Sequence, residues 1–446
     1  MGKNQVREEF MSDGTWTCPA GVTQVRAKVY ADQRIGNQAT GTSCALQLTQ
    51  GGDAYGMGLT SFGESGVNDG LPHSSPVIVF GGLKWRSLML CDTSTIGLST
   101  SGDLYGWGRN TNGQLATGNV TTVSFPTIAV GGLKFRSLGG VGMAIRTDGT
   151  AYGWGKNDNG NIGDGTVVAK SSPILVLGGL KWRMVAAIAN SSSYGIDSNG
   201  NLYAWGGNQW GNLGLGDVIP RSSPVIVLGG LKWKWVGAGA QCTYGITVAN
   251  DLYAWGNNSS GQLGLGDVVS RSSPVIVLGG LKWAQVASTG LGNLQSGVVG
   301  ITTAGDAYAF GNNINGQLGL GDVVARSSPV IVLGSLKWRS IGTGYANSTL
   351  GIATNGSAYA WGLNATGLLG LGDILPRSSP VIVLGGFMYR AIDAGLVSDL
   401  ILDVTPGVAY TVTMYAPFVQ LGGYSLYTDE TYVGSMQVKL MLEYSA

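Results

Sequence analysis

Few side chains in this sequence could do chemistry, and their spacing assigns most of them to a repeat. The 446 residues contain one histidine, His73, three positions before a proline. Six other prolines have Val123, Lys170, Arg221, Arg271, Arg326 and Arg377 in that slot. His73 therefore reads as a repeat position that drifted, and a histidine-dependent triad has no second candidate. Arginines also stand four residues after Asp217, Asp267, Asp322 and Asp373. They form either one ion pair per unit, of the exposed kind that contributes about 0–1 kcal/mol, or a ring of guanidiniums open to an anion. The pair is the simpler reading. Runs such as Gly211-Asn-Leu-Gly-Leu-Gly-Asp217 have the glycine density of a phosphate loop. No Lys-Ser or Lys-Thr follows and no helix begins there, so turns are expected. Cys18, Cys44, Cys91 and Cys242 show neither metal-ligand spacing nor pairing and read as separate buried thiols. No paired carboxylates, metal-ligand cluster or nucleophile elbow stands out. The expectation is binding without catalysis, metal or cofactor.

What must position these residues is the repeat itself. With a tyrosine as marker, copies begin at Tyr55, Tyr105, Tyr152, Tyr203, Tyr253, Tyr308 and Tyr359. A proline follows each after 21 residues, at Pro76, Pro126, Pro173, Pro224, Pro274, Pro329 and Pro380. From each proline to the next tyrosine the count varies from 26 to 34, so insertions are confined to one part of the unit. A unit breaks into four short apolar runs, as at 86–90, 95–99, 104–107 and 126–130, separated by Gly, Asn and Asp turns. Four antiparallel strands repeated around a closed ring make a propeller, which leaves only short, protected edges. A solenoid would need polar caps, which the end units lack.

The strand count argues for closure. From Ser43 the chain supplies a second, third and fourth strand before any first one, and 389–394 supplies an extra first strand after the last proline. Joining them completes a seven-bladed propeller closed by a C-terminal strand. Aromatic residues recur two after each tyrosine (Trp205, Trp255) and nine after each proline (Trp233, Trp283), which places ten of the thirteen tryptophans between blades. Trp210 and Trp235 stand outside both rings.

Charged residues make up 11% of the chain and the formal net charge is +1, against roughly 25% charged in ordinary domains. Such a surface has no long-range pull on nucleic acid or acidic membranes. Residues 1–10 lack the apolar run of a secretory signal, and Val6 departs from the myristoylation pattern. No apolar run approaches the roughly 20 residues of a membrane span. A soluble chain with no membrane insertion is expected. Alternating runs on both sides of Pro19-Ala-Gly21, and four more between Leu400 and Tyr444, read as β-strands. The whole is then all-β: one small β-sandwich split between 1–40 and 396–446, with the propeller (41–395) inserted in it.

The block Tyr253-Ala-Trp-Gly-Asn-Asn-Ser-Ser-Gly-Gln-Leu-Gly264, followed by Pro274, resembles the repeat of the regulator-of-chromosome-condensation family across about 42–394. The resemblance implies seven blades. The Gly-Gly doublet is similar to that of kelch repeats, which lack the rest of the block. The family's second-strand histidine is replaced by Thr95, Met143, Ser193, Tyr244, Val298 and Thr349, so the nucleotide-exchange activity of the founding member is not carried over. The flanks, Gly14-Thr-Trp-Thr-Cys-Pro-Ala-Gly21 and Val404-Thr-Pro-Gly-Val-Ala-Tyr-Thr-Val-Thr413, resemble the strands that open and close glycine-rich domains of bacteriophage tail proteins. Together these imply a non-enzymatic virion component, a tail, fibre or decoration protein assembled in the host cytoplasm. Its flanks would hold other virion proteins and its propeller would face a host surface receptor or glycan. The alternative is a soluble cytoplasmic interaction or inhibitor module. A guanine nucleotide exchange factor comes third.

Contact is expected where the near-symmetry breaks. The stretch from Pro274 to Tyr308 has 34 residues, with the surplus in Ser288-Thr-Gly-Leu-Gly-Asn-Leu-Gln-Ser296, so Leu291, Asn293, Leu294 and Gln295 are candidate contacts. Phe62 and Trp210 are bulky where other copies have Asn, Thr or Ser, and are candidate anchors.

Overall fold

The computed structural model describes residues 5–10, 14–17, 24–30, 44–48, 51–58, 60–91, 93–140, 142–188, 192–239, 241–288, 296–343, 347–365, 369–383, 400–403, 409–412 and 439–445. Every regular element among them is a β-strand. Short runs rich in Val, Ile, Trp and Tyr between glycine turns cannot sustain a helical stripe, and they pair with their sequence neighbours instead. Six four-stranded antiparallel meanders result. Blade 2, for example, comprises Trp85–Cys91, Ser94–Ser99, Leu104–Gly108 and Val123–Ile128, and blade 5 comprises Trp233–Ala238, Cys242–Thr247, Leu252–Gly256 and Arg271–Ile276. Blade 1 shows three strands, Cys44–Leu48, Ala54–Gly58 and His73–Ile78. The expected closing run, 389–394, lies outside the described residues. The first strands of neighbouring blades lie against one another, and the fourth strands form the rim of a seven-bladed β-propeller.

The fourth strand begins three residues before the expected position. Arg221–Ile226 encloses Pro224, and its register with the third strand passes from Gly206 opposite Arg221 to Ala204 opposite Val225. The irregular pairing absorbs a residue that has no N–H to give, and the rim is where a sheet tolerates proline.

Each interblade core is built around a tryptophan. All ten ring-position tryptophans are at most 3% exposed. Trp233 meets Tyr253 edge-on at 5.6 Å and Trp255 at 5.8 Å. The second strand makes room with a glycine: a Cβ on Gly245 would lie 2.3 Å from the Trp233 ring, and one on Gly195 would lie 2.3 Å from Trp182. In blade 3 the ring is the smaller Phe135 and the facing residue is Ala144, opposite Tyr152. Trp235, outside both rings in the sequence, is half-buried and packs on the cluster around Cys242 and Tyr244. It belongs to the scaffold.

The flanks pair with each other. Gln5–Phe10, Lys439–Ser445, Gln24–Tyr30 and Leu400–Asp403 form one sheet in that order, and Gly14–Thr17 pairs with Ala409–Val412. The strand at Gln5–Phe10 escapes sequence reading because its charged residues break the alternation. The run 424–433, expected to be a strand, lies outside the described residues.

Candidate functional site

The loop between the third and fourth strands is organised by the asparagine of the repeat. Asn208, 1% exposed, donates from Nδ2 to the carbonyls of Asp217 and Ile219, at 3.0 and 3.1 Å, and accepts the Leu213 N–H at 2.9 Å. Asn110, Asn157, Asn258 and Asn313 do the same in their blades. With the loop so held, the glycine-rich run becomes an interblade latch. Gly216 donates to the Ser272 carbonyl of the next blade at 2.7 Å. At Gly211 (φ +74°) a Cβ would sit 2.6 Å from the Ser272 Cα. The run is packing geometry between blades.

The arginines are paired, as expected. Arg221, Arg271 and Arg326 each place Nη2 2.5 Å from the aspartate four residues earlier, and Arg377 pairs with Asp373. Lys170 meets Asp164 at 3.1 Å, and His73 meets Asp69 at 2.9 Å. The histidine fills the basic slot of its blade. In Asp217, Asp267, Asp322 and Asp373 the carboxyl pKa lies below the usual range, first because a backbone N–H two residues on donates to it and then because of the arginine. A depressed folded-state pKa contributes stability above the unfolded value that is lost as pH falls through the folded one. Thermal unfolding midpoints should therefore hold from neutrality to about pH 4 and fall below it. Because the first cause is an N–H, added salt should leave most of that fall in place; a profile flat to pH 2.5 would contradict it.

Between blades the polar contacts converge on one carbonyl per junction. Asn212 O accepts from Trp255 Nε1 at 2.8 Å, Thr243 Oγ1 at 3.0 Å and Tyr194 OH at 2.7 Å. Register corrects two of the assignments made from sequence at the second-strand slot. Thr243, not Tyr244, lies opposite Trp255, and in blade 3 Met143 lies opposite Gly153, so Gly142 occupies the slot beside Trp154. Blade 6 has Val298 opposite Phe310, neither able to donate. There Tyr244 OH supplies the Gln262 carbonyl at 2.7 Å. Tyr244→Phe should accordingly cost about 1–3 kcal/mol, the penalty of a buried acceptor left unmet. Tyr194→Phe should cost under about 1 kcal/mol because two donors remain. Equal losses in urea denaturation would count against this division.

Phe62 and Trp210, each 38% exposed, occupy equivalent loop positions on blades 1 and 4. The structure does not bring them together. Phe62 is covered by Arg109 of the next blade, whose guanidinium lies 5.4 Å from the ring centroid. Leu291, Asn293, Leu294 and Gln295 lie outside the described residues. Trp210 does border a concavity, a cleft of about 160 Å³ where the loops of blades 3, 4 and 5 meet. Asn159, Gln209, Gln241, Val218 and Pro220 border it, over a floor of Ser192, Tyr194, Asn212, Cys242 and Thr243. No lining residue is charged at neutral pH, since burial pushes the Tyr194 phenol up to about 12 and the Cys242 thiol up to about 11. Cys44 is a second buried thiol, also pushed up by burial; the side chains of Cys18 and Cys91 are outside the described set. No cluster of His, Cys, Asp and Glu among the described residues is placed to hold a metal.

The same loops carry a feature that sequence reading missed. Val167 and Val168, Val218 and Ile219, Val268 and Val269, Val323 and Val324, and Ile374 and Leu375 are exposed aliphatic pairs, each residue 58–65% exposed. The signal is an apolar doublet that follows the loop aspartate in blades 4 to 7 and Thr166 in blade 3; as a mostly β-branched doublet it reads as the start of a strand.

The model of the "Regulator of chromosome condensation (RCC1) repeat" matches residues 101–136, 148–192, 199–246, 250–290 and 304–350. The chain is similar to this repeat from blade 2 into blade 7. The chain is 28% identical over 214 residues to the ultraviolet-B receptor UVR8 of Arabidopsis thaliana, which is 45% of this chain and 45% of that protein. It thus spans under half the length of this curated relative. Among solved structures it is similar to yeast RCC1 (Prp20) bound to Kap60, with a TM-score of 0.58 at 17% identity over 87% of this chain and 97% of that one. Prp20p of Saccharomyces cerevisiae, solved in a study of its binding to Gsp1p and histones, gives 0.55 at 17% identity over 91% and 95%. These likenesses agree with the RCC1 propeller fold.

Proposed function

We propose that the chain is a binding platform without catalytic activity, whose joined flanks attach to a bacteriophage particle and whose propeller presents its loop face to a partner. The observation that carries the binding reading is the set of exposed aliphatic pairs on the loops of blades 3 to 7, in a molecule with few charges. Apolar residues repeated on one face are what a protein-docking surface requires. Two things support the attachment: strands from both chain ends pair in shared sheets, and the same segments resemble phage tail domains. We take 1–40 and 396–446 as the two halves of one sandwich and 41–395 as the inserted propeller. Assembly would take place in the host cytoplasm. Electron microscopy of particles lacking the gene should show a projecting density lost; unchanged density overturns the attachment.

A second reading is a soluble interaction or inhibitor module. It is favoured by the likeness to yeast RCC1, which was solved with Kap60. Pull-down from lysate would then give one protein partner and no virion proteins. Exchange activity is the weakest reading, and no acceleration of nucleotide release from a small GTPase is expected.

A further inference from the structure

The cleft beside Trp210 is unlike its counterparts on the other blades. At this loop position blades 2, 3, 5 and 6 have Asn112, Asn159, Ser260 and Asn315, so the indole is peculiar to blade 4. It stands 38% exposed at the rim of a cleft of about 160 Å³. That volume lies well under the roughly 300–1,000 Å³ of a drug-sized site, and leaves room for one ring. The polar groups that border it are amides and hydroxyls. Asn159 and Gln209 are exposed, and Gln241 accepts from Asn257 through Oε1 at 2.9 Å, which leaves its Nε2 protons facing away from that bond. The charged residues beside the lining residues in sequence, Asp217 with Arg221 and Lys156 with Asp158, are already paired at 2.5 and 2.9 Å. The floor does not yield, because Asn212 donates to Ser192 Oγ at 2.7 Å and its carbonyl accepts from Tyr194 OH at 2.7 Å and Thr243 Oγ1 at 3.0 Å.

We propose that this cleft binds one residue of a neutral saccharide, with a pyranose face stacked on Trp210 and its hydroxyls hydrogen-bonded by the amides of Asn159, Gln209 and Gln241. An apolar ring face with an equatorial fringe of hydroxyls matches one indole beside several amides. An anionic sugar would find no unpaired cation there, and a cationic ligand no unpaired carboxylate. A large apolar side chain would use the indole but strand the amides against its surface. The proposal rests on the binding-platform reading and names the ligand class of one site on it.

The test is an array of neutral gluco-, galacto-, manno- and N-acetylhexosamine oligosaccharides, with sialylated and sulfated counterparts, probed with the full chain. Hits would be titrated by intrinsic tryptophan fluorescence and saturation-transfer NMR. The expected result is binding of at least one neutral series, with saturation transfer strongest on one ring. Trp210→Ala should lower affinity tenfold or more and Gln209→Ala three- to tenfold, with an unchanged unfolding midpoint. Asn315→Ala, at the equivalent loop position of blade 6, should change nothing. Absence of any neutral hit, binding confined to charged glycans, or affinity indifferent to Trp210→Ala overturns the proposal. Particle association of the Trp210→Ala chain separates the two readings. If glycan binding fails while association persists, the platform stands without this ligand; if association fails in the parent chain, the platform itself falls.

Discussion

Gly245→Ala is expected to destabilise the propeller by about 1–3 kcal/mol, the range for forcing extra volume into a packed core. The new methyl would lie 2.3 Å from Cζ3 and 2.6 Å from Cε3 of Trp233, a ring that is 1% exposed and held edge-on by Tyr253 and Trp255. Neither partner has space to retreat. Blade 3 supplies the natural control, since Phe135 takes the tryptophan position and Ala144 the glycine position. Trp233→Phe alone should also cost stability, by opening a gap. Combined with Gly245→Ala, the loss should be smaller than the sum, with a coupling of about 0.5–3 kcal/mol. A double-mutant cycle in urea reads this directly, and strict additivity would show that the ring and the glycine do not constrain each other.

Asn258→Ala should cost about 2–4 kcal/mol, since it removes one side chain that satisfies several buried groups at once. Asn258 is fully buried, accepts the Leu263 N–H at 2.9 Å, and donates to the carbonyls of Asp267 and Val269 at 3.0 and 3.1 Å. The loop it organises carries the Gly266 N–H that bonds Ser327 of the next blade at 2.7 Å, so loosening one loop loosens a junction. Blade 1, where Thr60 stands in the slot and among the described residues reaches Ser65, marks how far the position can degenerate. Asn258→Thr is therefore expected to fall between parent and alanine. Thermal unfolding with hydrogen exchange at Gly266 checks both, and full protection of that amide in the alanine variant would contradict the latch.

The repeat made the blades, the turns and the tryptophan rings legible, because each rests on a local residue type at a fixed spacing. Register was harder to read. Tyr244 and Met143 were assigned to a slot that pairing gives to Thr243 and Gly142, since a one-residue shift along a strand exchanges its faces and unaligned spacing does not reveal it. The pairing of Gly245 with Trp233 was hidden for the same reason: the two residues meet only across a hydrogen-bonded ladder. Trp210 was legible as a bulky exception in a small-residue slot. Its cleft was not, because Gln241 and Thr243 come from the next blade. The aliphatic doublets were visible as letters, but exposure is a property of the folded loop.

The central claim, that this chain is a particle-borne binding platform, is tested most directly by quantitative mass spectrometry of gradient-purified particles produced by the genome that encodes it. The account predicts the chain in the particle band, at a constant ratio to the other structural proteins across the gradient. Recovery of the chain only in the soluble fraction, with none in the band, would contradict it.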